Sequence, residues 1–173
     1  FILTKIFLKK DIREIGSGNI GATNALRTGN KLIGYSTLIL DILKAIIPVI
    51  YVKMNYPELI YIASLCAFLG HVFPIWLKFK GGKGVATLLG ISLAFDWLLA
   101  LSSIAAFVLT TLLTKIVALG SLIAIFTFFI LGIFIFGHQE IYFLIFGFSS
   151  MLLTLYTHRK NLQRILDGSE NKI

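Results

Sequence analysis

One cysteine, three prolines and eight acidic side chains in 173 residues remove several classes of protein at the outset. Cys66 alone can form neither an internal disulfide nor a thiolate metal cluster. Inside an apolar block it reads as packing, since free Cys behaves as a small hydrophobe. Charged residues make up only 14% of the chain, against roughly a quarter in soluble domains. No stretch alternates apolar with polar residues as a lipid-facing barrel strand with a wet lumen does. No Pro-, Ser- or Gln-rich linker and no solenoid-type repeat divides the chain, so one domain over residues 1–173 is expected. No His-Glu-x-x-His or comparable ligand spacing occurs, so neither a metal nor another cofactor is expected.

What is abundant is apolar: 57% of the residues, gathered in blocks such as Leu32 to Val52, Leu59 to Leu77 and Ile116 to Phe136. Each can cross a bilayer, which takes ~20 apolar residues per helix. The fold class expected is all-α, a polytopic membrane helical bundle. Between the second and third of those blocks the count of crossings is open, because Val85 to Phe95 is short and is followed by Asp96 and then Trp97 to Leu113. Two crossings there would place fourteen of the sixteen Lys and Arg residues on one face. The other face would keep Lys53, Glu58, Asp96, His138 and Glu140. That asymmetry follows the positive-inside rule and favours about six spans, with the polar segments on the cytoplasmic face of a bacterial inner membrane. Phe1 to Leu8 is too short to cross and is expected to be the tail of a first span, which would make seven. The net charge of +8 is explained by orientation in lipid rather than by nucleic acid, and no obligatory protein partner is evident.

The first polar segment reads Gly16-Ser17-Gly18-Asn19-Ile20-Gly21-Ala22-Thr23-Asn24-Ala25-Leu26-Arg27. Glycines let several amide N–H groups converge on one point, a concavity suited to anions. Ser17, Thr23 and Asn24 can add side-chain donors, and the Arg27 fork suits bidentate phosphate contacts. The same composition also makes ordinary surface turns. The second segment holds Gly70-His71 and Pro74 and then Lys78-Phe79-Lys80-Gly81-Gly82-Lys83-Gly84-Val85-Ala86-Thr87. Its glycines again offer amides, and it leads into a helix whose positive N-terminus favours anions. It is no Walker A loop, since Leu77 and Gly84 stand where Gly and Ser or Thr would be required. Its lysines could alternatively meet lipid headgroups.

The third segment, Thr157-His158-Arg159-Lys160-Asn161-Leu162-Gln163-Arg164-Ile165-Leu166, puts His158 and Asn161 on one helical face. Leu162, Ile165 and Leu166 form a stripe that can lie on the membrane. His138 reads as a solvated turn residue and His71 as a structural hydrogen-bonder beside a Phe-Pro bend. Asp41 and Lys44 share a face inside a span, where charges are costly unless paired. An internal pair that pins helix packing is the simpler reading, and a small membrane transporter built round the Asp41/Lys44 pair is the alternative. Repeated halves, common in transporters, are not visible.

In order, spacing and intervening spans, these segments resemble the motifs of the bacterial acyl-phosphate:glycerol-3-phosphate acyltransferase (PlsY) family over essentially the whole chain. That resemblance implies transfer of a fatty acyl group from acyl-phosphate to the 1-hydroxyl of sn-glycerol 3-phosphate, giving lysophosphatidic acid for phospholipid synthesis. It implies that Ser17, Gly18 and Asn19 hold the acyl-phosphate, that Gly82 lies near the reacting carbonyl, and that Arg27, Lys83, His158 and Asn161 bind and orient glycerol 3-phosphate. The expected catalytic set is Ser17, Lys83, His158 and Asn161, with Thr23 and Asn24 completing the substrate-binding loop. Ala45 departs from the pattern, which has Gly there. A coenzyme A-dependent acyltransferase would carry His-x-x-x-x-Asp, and none of His71, His138 or His158 has Asp five positions later.

Overall fold

The computed structural model describes residues 1–173 and consists of helices and turns without a strand. The helices are α1 (Ile2–Phe7), α2 (Ala22–Leu26), α3 (Lys31–Asn55), α4 (Ile60–Val72), α5 (Val85–Phe95), α6 (Trp97–Thr114), α7 (Val117–Phe134), α8 (Ile141–Thr157) and α9 (Arg159–Leu166). Local chemistry marks their ends. The Asn30 side chain accepts from the amide of Ile33 at 3.1 Å to start α3. Asp96 accepts from the amides of Leu98 and Leu99 to start α6, which is why the chain turns there instead of running on as one bent helix. Lys115, at φ 63°, stops α6 in a left-handed turn.

Helices α3, α6, α7 and the segment Pro57–Leu77 that contains α4 are each long and apolar enough to cross a membrane. Helices α8 and α9 pass the same test together, bent by 60° at His158. Six apolar helices are present, but against the about six spans expected, four of them, or five counting α8 with α9, have the length to cross; α5, with 11 residues, covers only about 16 Å of a hydrocarbon core ~30 Å thick. Its end is met from below: Lys53 Nζ, near the end of α3, donates to the carbonyls of Ala94 and Phe95 at 2.8 and 2.9 Å. The cation thus satisfies the free carbonyls of a helix that stops short of the interface.

Helix α5 is the centre of the bundle, packed against α3, α4, α6 and α7. In lipid there is no bulk hydrophobic drive between helices, so close contact must do the holding. Gly90 provides it: a Cβ there would run into the carbonyl of Ile42 on α3. Gly132 and Gly147 likewise admit the rings of Phe143 and Phe129, and Phe68, Phe128, Phe143, Phe146, Leu99 and Ile91 fill the core. Cys66 is on the exposed apolar exterior, so it faces lipid and does not pack the core as expected. The three polar segments meet at one end of this bundle. Thr157 donates to the carbonyl of Lys83 at 3.3 Å, and Lys83 Nζ donates to Asn161. At the opposite end lie Lys53, the Asp96–His138 approach at 3.8 Å and the Tyr61–Glu140 contact at 3.4 Å.

Candidate active site

Where the three segments meet, they line a cavity of about 470 Å³ that is polar at its mouth and apolar in its depth. Ser17, Asn19, Thr23, Arg27, Lys83, His158 and Asn161 stand round the mouth. The depth is a groove between α5, α6 and α7 walled by Leu88, Ile104, Phe107 and Ile125 and reaching Phe128. The space thus accepts a ligand with an anionic head and a long apolar tail.

The first loop is held open by Asn24. Only 2% exposed, its amide donates to the carbonyls of Ile12, Ile15 and Asn19 at 3.1, 2.9 and 2.8 Å, and its Oδ1 accepts from the amide of Ser17 at 2.9 Å. Every polar atom of Asn24 is thereby committed, so its role corrects the expectation of a ligand: it braces the loop. Gly18, at φ 71°, gives its amide to the carbonyl of Ile15 at 3.0 Å and shapes the turn without offering that amide to a substrate. The Asn19 Oδ1 accepts from Gly21 at 3.0 Å, and its NH₂ group is free. Ser17 and Thr23 are exposed, and Arg27 makes no ion pair with any acid of the chain.

The second loop divides in two. The amides of Gly81 and Gly82 donate to the carbonyls of Val72 and His71 at 3.0 and 3.2 Å, which corrects the expectation that the whole Gly81 to Gly84 stretch offers donors. Those bonds pin the loop to the end of α4. Gly84 turns at φ 86° against the ring of Phe68, and from Lys83 to Thr87 the amides find no carbonyl within the chain. The first turn of α5 therefore presents a cluster of free N–H groups beside the Lys83 ammonium. Burial pushes the Lys83 pKa down to about 8, with Arg164 and Arg27 adding to the lowering and Glu170 opposing it.

The third segment bends at His158, which is 1% exposed. Its Nδ1 lies 2.9 Å from the carbonyl of Thr154, a contact that requires a proton on Nδ1 and leaves the Nε2 lone pair as acceptor. Burial and then the nearby Lys83 charge lower its pKa to about 4, so it is neutral at physiological pH. Asn161 accepts from Lys83 and donates to Glu170 Oε1 at 2.6 Å, while Arg164 Nε donates to Glu170 Oε2 at 2.6 Å. Glu170 was not singled out in the sequence, because its tail has no helical period and no motif-like neighbours; only the fold brings it to Asn161. Asp41, expected to pair with Lys44, and His71, expected to be a structural hydrogen-bonder, both reach the cavity wall. His71 accepts from Lys44, which also pairs with Asp41 at 2.6 Å, so the intramembrane pair is an internal one with a third member. Three or more His, Cys, Asp or Glu side chains converge nowhere.

Comparison with known proteins agrees with this geometry. The family model for glycerol-3-phosphate acyltransferase matches residues 1–168. The glycerol-3-phosphate acyltransferase of Pelagibacter ubique is 56% identical over 172 residues, covering 99% of this chain and 88% of the relative. That of Bartonella henselae is 43% identical, covering 99% and 83%. The crystal structure of PlsY (YgiH), an integral membrane glycerol 3-phosphate acyltransferase, in its glycerol 3-phosphate form superposes with a TM-score of 0.92 at 34% identity, covering 99% of this chain and 86% of that one. Its lysophosphatidic acid form gives 0.88, also at 34% identity. With its whole length accounted for by these matches, the chain belongs to the glycerol-3-phosphate acyltransferase family.

Proposed function

We propose that the acyl donor is an acyl-phosphate and that the chain, as one domain over residues 1–173, works in a bacterial inner membrane with its cavity mouth towards the cytoplasm. The observation that carries this reading is the cavity itself: a mouth with two sets of anion donors above a groove for an apolar tail. Ser17, Asn19 and Thr23, with the free amides of the first turn of α5, suit the phosphate of a membrane-resident donor whose chain lies among α5, α6 and α7. Arg27, Lys83 and Asn161 suit the phosphate of glycerol 3-phosphate, and His158 Nε2 accepts a hydrogen bond from the 1-hydroxyl. The product, lysophosphatidic acid, fits the same groove.

An acyl-phosphate is already activated, so direct attack suffices. The hydroxyl oxygen bonds to the acyl carbon, the carbon–oxygen bond to phosphate breaks, and inorganic phosphate leaves with the electron pair. Held at low basicity by burial, His158 orients the hydroxyl, and the departing phosphate is the better final acceptor of its proton. Basic groups on both sides keep two phosphates together that would otherwise repel, and holding the reactants in line supplies much of the rate. Ser17 has no His or carboxylate hydrogen-bonded to it, so it serves as a phosphate donor rather than a nucleophile. Purified protein in lipid nanodiscs, given palmitoyl-phosphate and labelled glycerol 3-phosphate, should yield lysophosphatidic acid and inorganic phosphate in equal amounts. A palmitoyl-enzyme trapped on Ser17 would refute direct transfer.

A further inference from the structure

The wall of the cavity between its polar mouth and its apolar depth carries a group the reaction above leaves unused. His71 lies in the last turn of α4, 7% exposed and part of the cavity lining. Its Nδ1 contacts Lys44 Nζ, which also donates to Asp41 Oδ1 at 2.6 Å. An ammonium has donors only, so Nδ1 is the acceptor and the ring proton is on Nε2. Asp41 balances the charge of Lys44, which reaches in from the partly exposed face of α3, leaving the three groups neutral as a set. The opposite edge of the ring abuts Gly82: a Cβ at that glycine would collide with Nε2, Cε1 and Cδ2 of His71. Its Nε2 has no hydrogen-bond partner within the chain, and it is not among the sealed buried polar atoms. The fold therefore orients a buried N–H donor, fixes its tautomer from behind, and leaves it open.

The depth of this donor says what it meets. Arg27 and Lys83 mark the mouth; the His71 ring abuts Gly82, the residue before Lys83, and on its other edge meets Lys44 and Asp41 of α3, so it stands just inside the mouth, ahead of the apolar groove. A ligand with its phosphate at the mouth and its chain in the groove must place its carbonyl between the two. Building on the acyl-phosphate reading, we infer that His71 is a catalytic residue whose Nε2–H donates to the carbonyl oxygen of the bound acyl group and to the oxyanion it becomes. Asp41 and Lys44 are positioning residues that set the ring and its tautomer.

The test compares two unreactive donor analogues, palmitoylmethylphosphonate, which keeps the carbonyl, and the alkylphosphonate of equal length, which lacks it. Wild-type protein should bind the first more tightly, and His71→Met should abolish the preference while binding the second as before. In turnover, His71→Met should lose roughly 100- to 1,000-fold in kcat with KM for glycerol 3-phosphate unchanged. His71→Gln, which carries an N–H near the Nε2 position, should recover at least tenfold of that loss. Equal weakening of both analogues by His71→Met would overturn the proposal in favour of a phosphate contact. Equal losses in Met and Gln would reduce His71 to a packing role. If His71→Met does not fold, ¹⁵N spectra of histidine-labelled wild-type protein decide: the His71 Nε2–H signal must move with the carbonyl analogue and not with the other. Wild-type protein that binds neither analogue would instead refute the acyl-phosphate reading beneath the proposal.

Discussion

Raising the pH through about 8 should weaken the hold on glycerol 3-phosphate, because the Lys83 ammonium, brought down to about 8 by burial, loses its proton there. A lysine with a lowered pKa is cationic below that value and neutral above it, so the phosphate contact proposed for Lys83 would be made at neutral pH and lost on the alkaline side. The ionisation of the free protein is reported by kcat/KM for glycerol 3-phosphate. At pH 9 about one molecule in ten keeps the charge, which predicts a roughly tenfold drop from pH 7. Lys83→Arg keeps its charge throughout and should remove the alkaline limb up to pH 10. Lys83→Ala gives up a charge-assisted hydrogen bond worth ~1.5 to 3 kcal/mol, so it should run roughly ten to 150 times slower at neutral pH, without a limb. The assay is the initial rate of lysophosphatidic acid formation from palmitoyl-phosphate in nanodiscs, corrected for spontaneous donor hydrolysis at each pH. An alkaline limb of unchanged position in Lys83→Arg would show that another group controls it.

Arg27→Ala should cost roughly ten to 150 fold in the same assay, whereas Arg159→Ala, whose guanidinium rests 4.2 Å over the ring of Tyr156, should stay within about twofold. Glu170→Ala strands both Asn161 and Arg164, so KM for glycerol 3-phosphate should rise and the thermal midpoint fall, consistent with ~1 to 3 kcal/mol per orphaned donor. Gly84→Ala combines a left-handed backbone with a collision against Phe68, and Gly29→Ala meets only the first of these; the midpoint of Gly84→Ala should fall further, and equal shifts would contradict the packing. Cysteine at Arg27 or His158 in a Cys66→Ser background should resist an impermeant thiol reagent applied outside spheroplasts, while cysteine at Lys53 should react.

The helices and the three polar segments are legible because both depend on short-range pattern. Apolar runs of span length can be read directly, and glycine- and base-rich stretches between them are conspicuous in a chain so poor in charge. The turn at Asp96 was readable from the Lys and Arg asymmetry that two crossings there produce, and the structure adds its local cause, the cap that Asp96 places on Leu98 and Leu99. What the sequence does not disclose is which polar atoms remain free. Gly81 and Gly82 look as available as Lys83 and Gly84 until α4 is seen to accept their amides. Asn24 looks like a ligand until its four hydrogen bonds within the loop are found. His71 and Glu170 depend on partners that are 27 and 9 residues away, and neither separation carries a local signature.

The choice of donor tests the central claim most directly. Purified protein in nanodiscs, with glycerol 3-phosphate fixed and excess chelator present, would be offered palmitoyl-phosphate and palmitoyl-coenzyme A in separate reactions. Lysophosphatidic acid should form from palmitoyl-phosphate alone, because the proposed site holds two phosphates at the mouth and no His-x-x-x-x-Asp pair exists to activate the acceptor for a thioester. Sustained transfer from palmitoyl-coenzyme A, with none from palmitoyl-phosphate, would contradict the account.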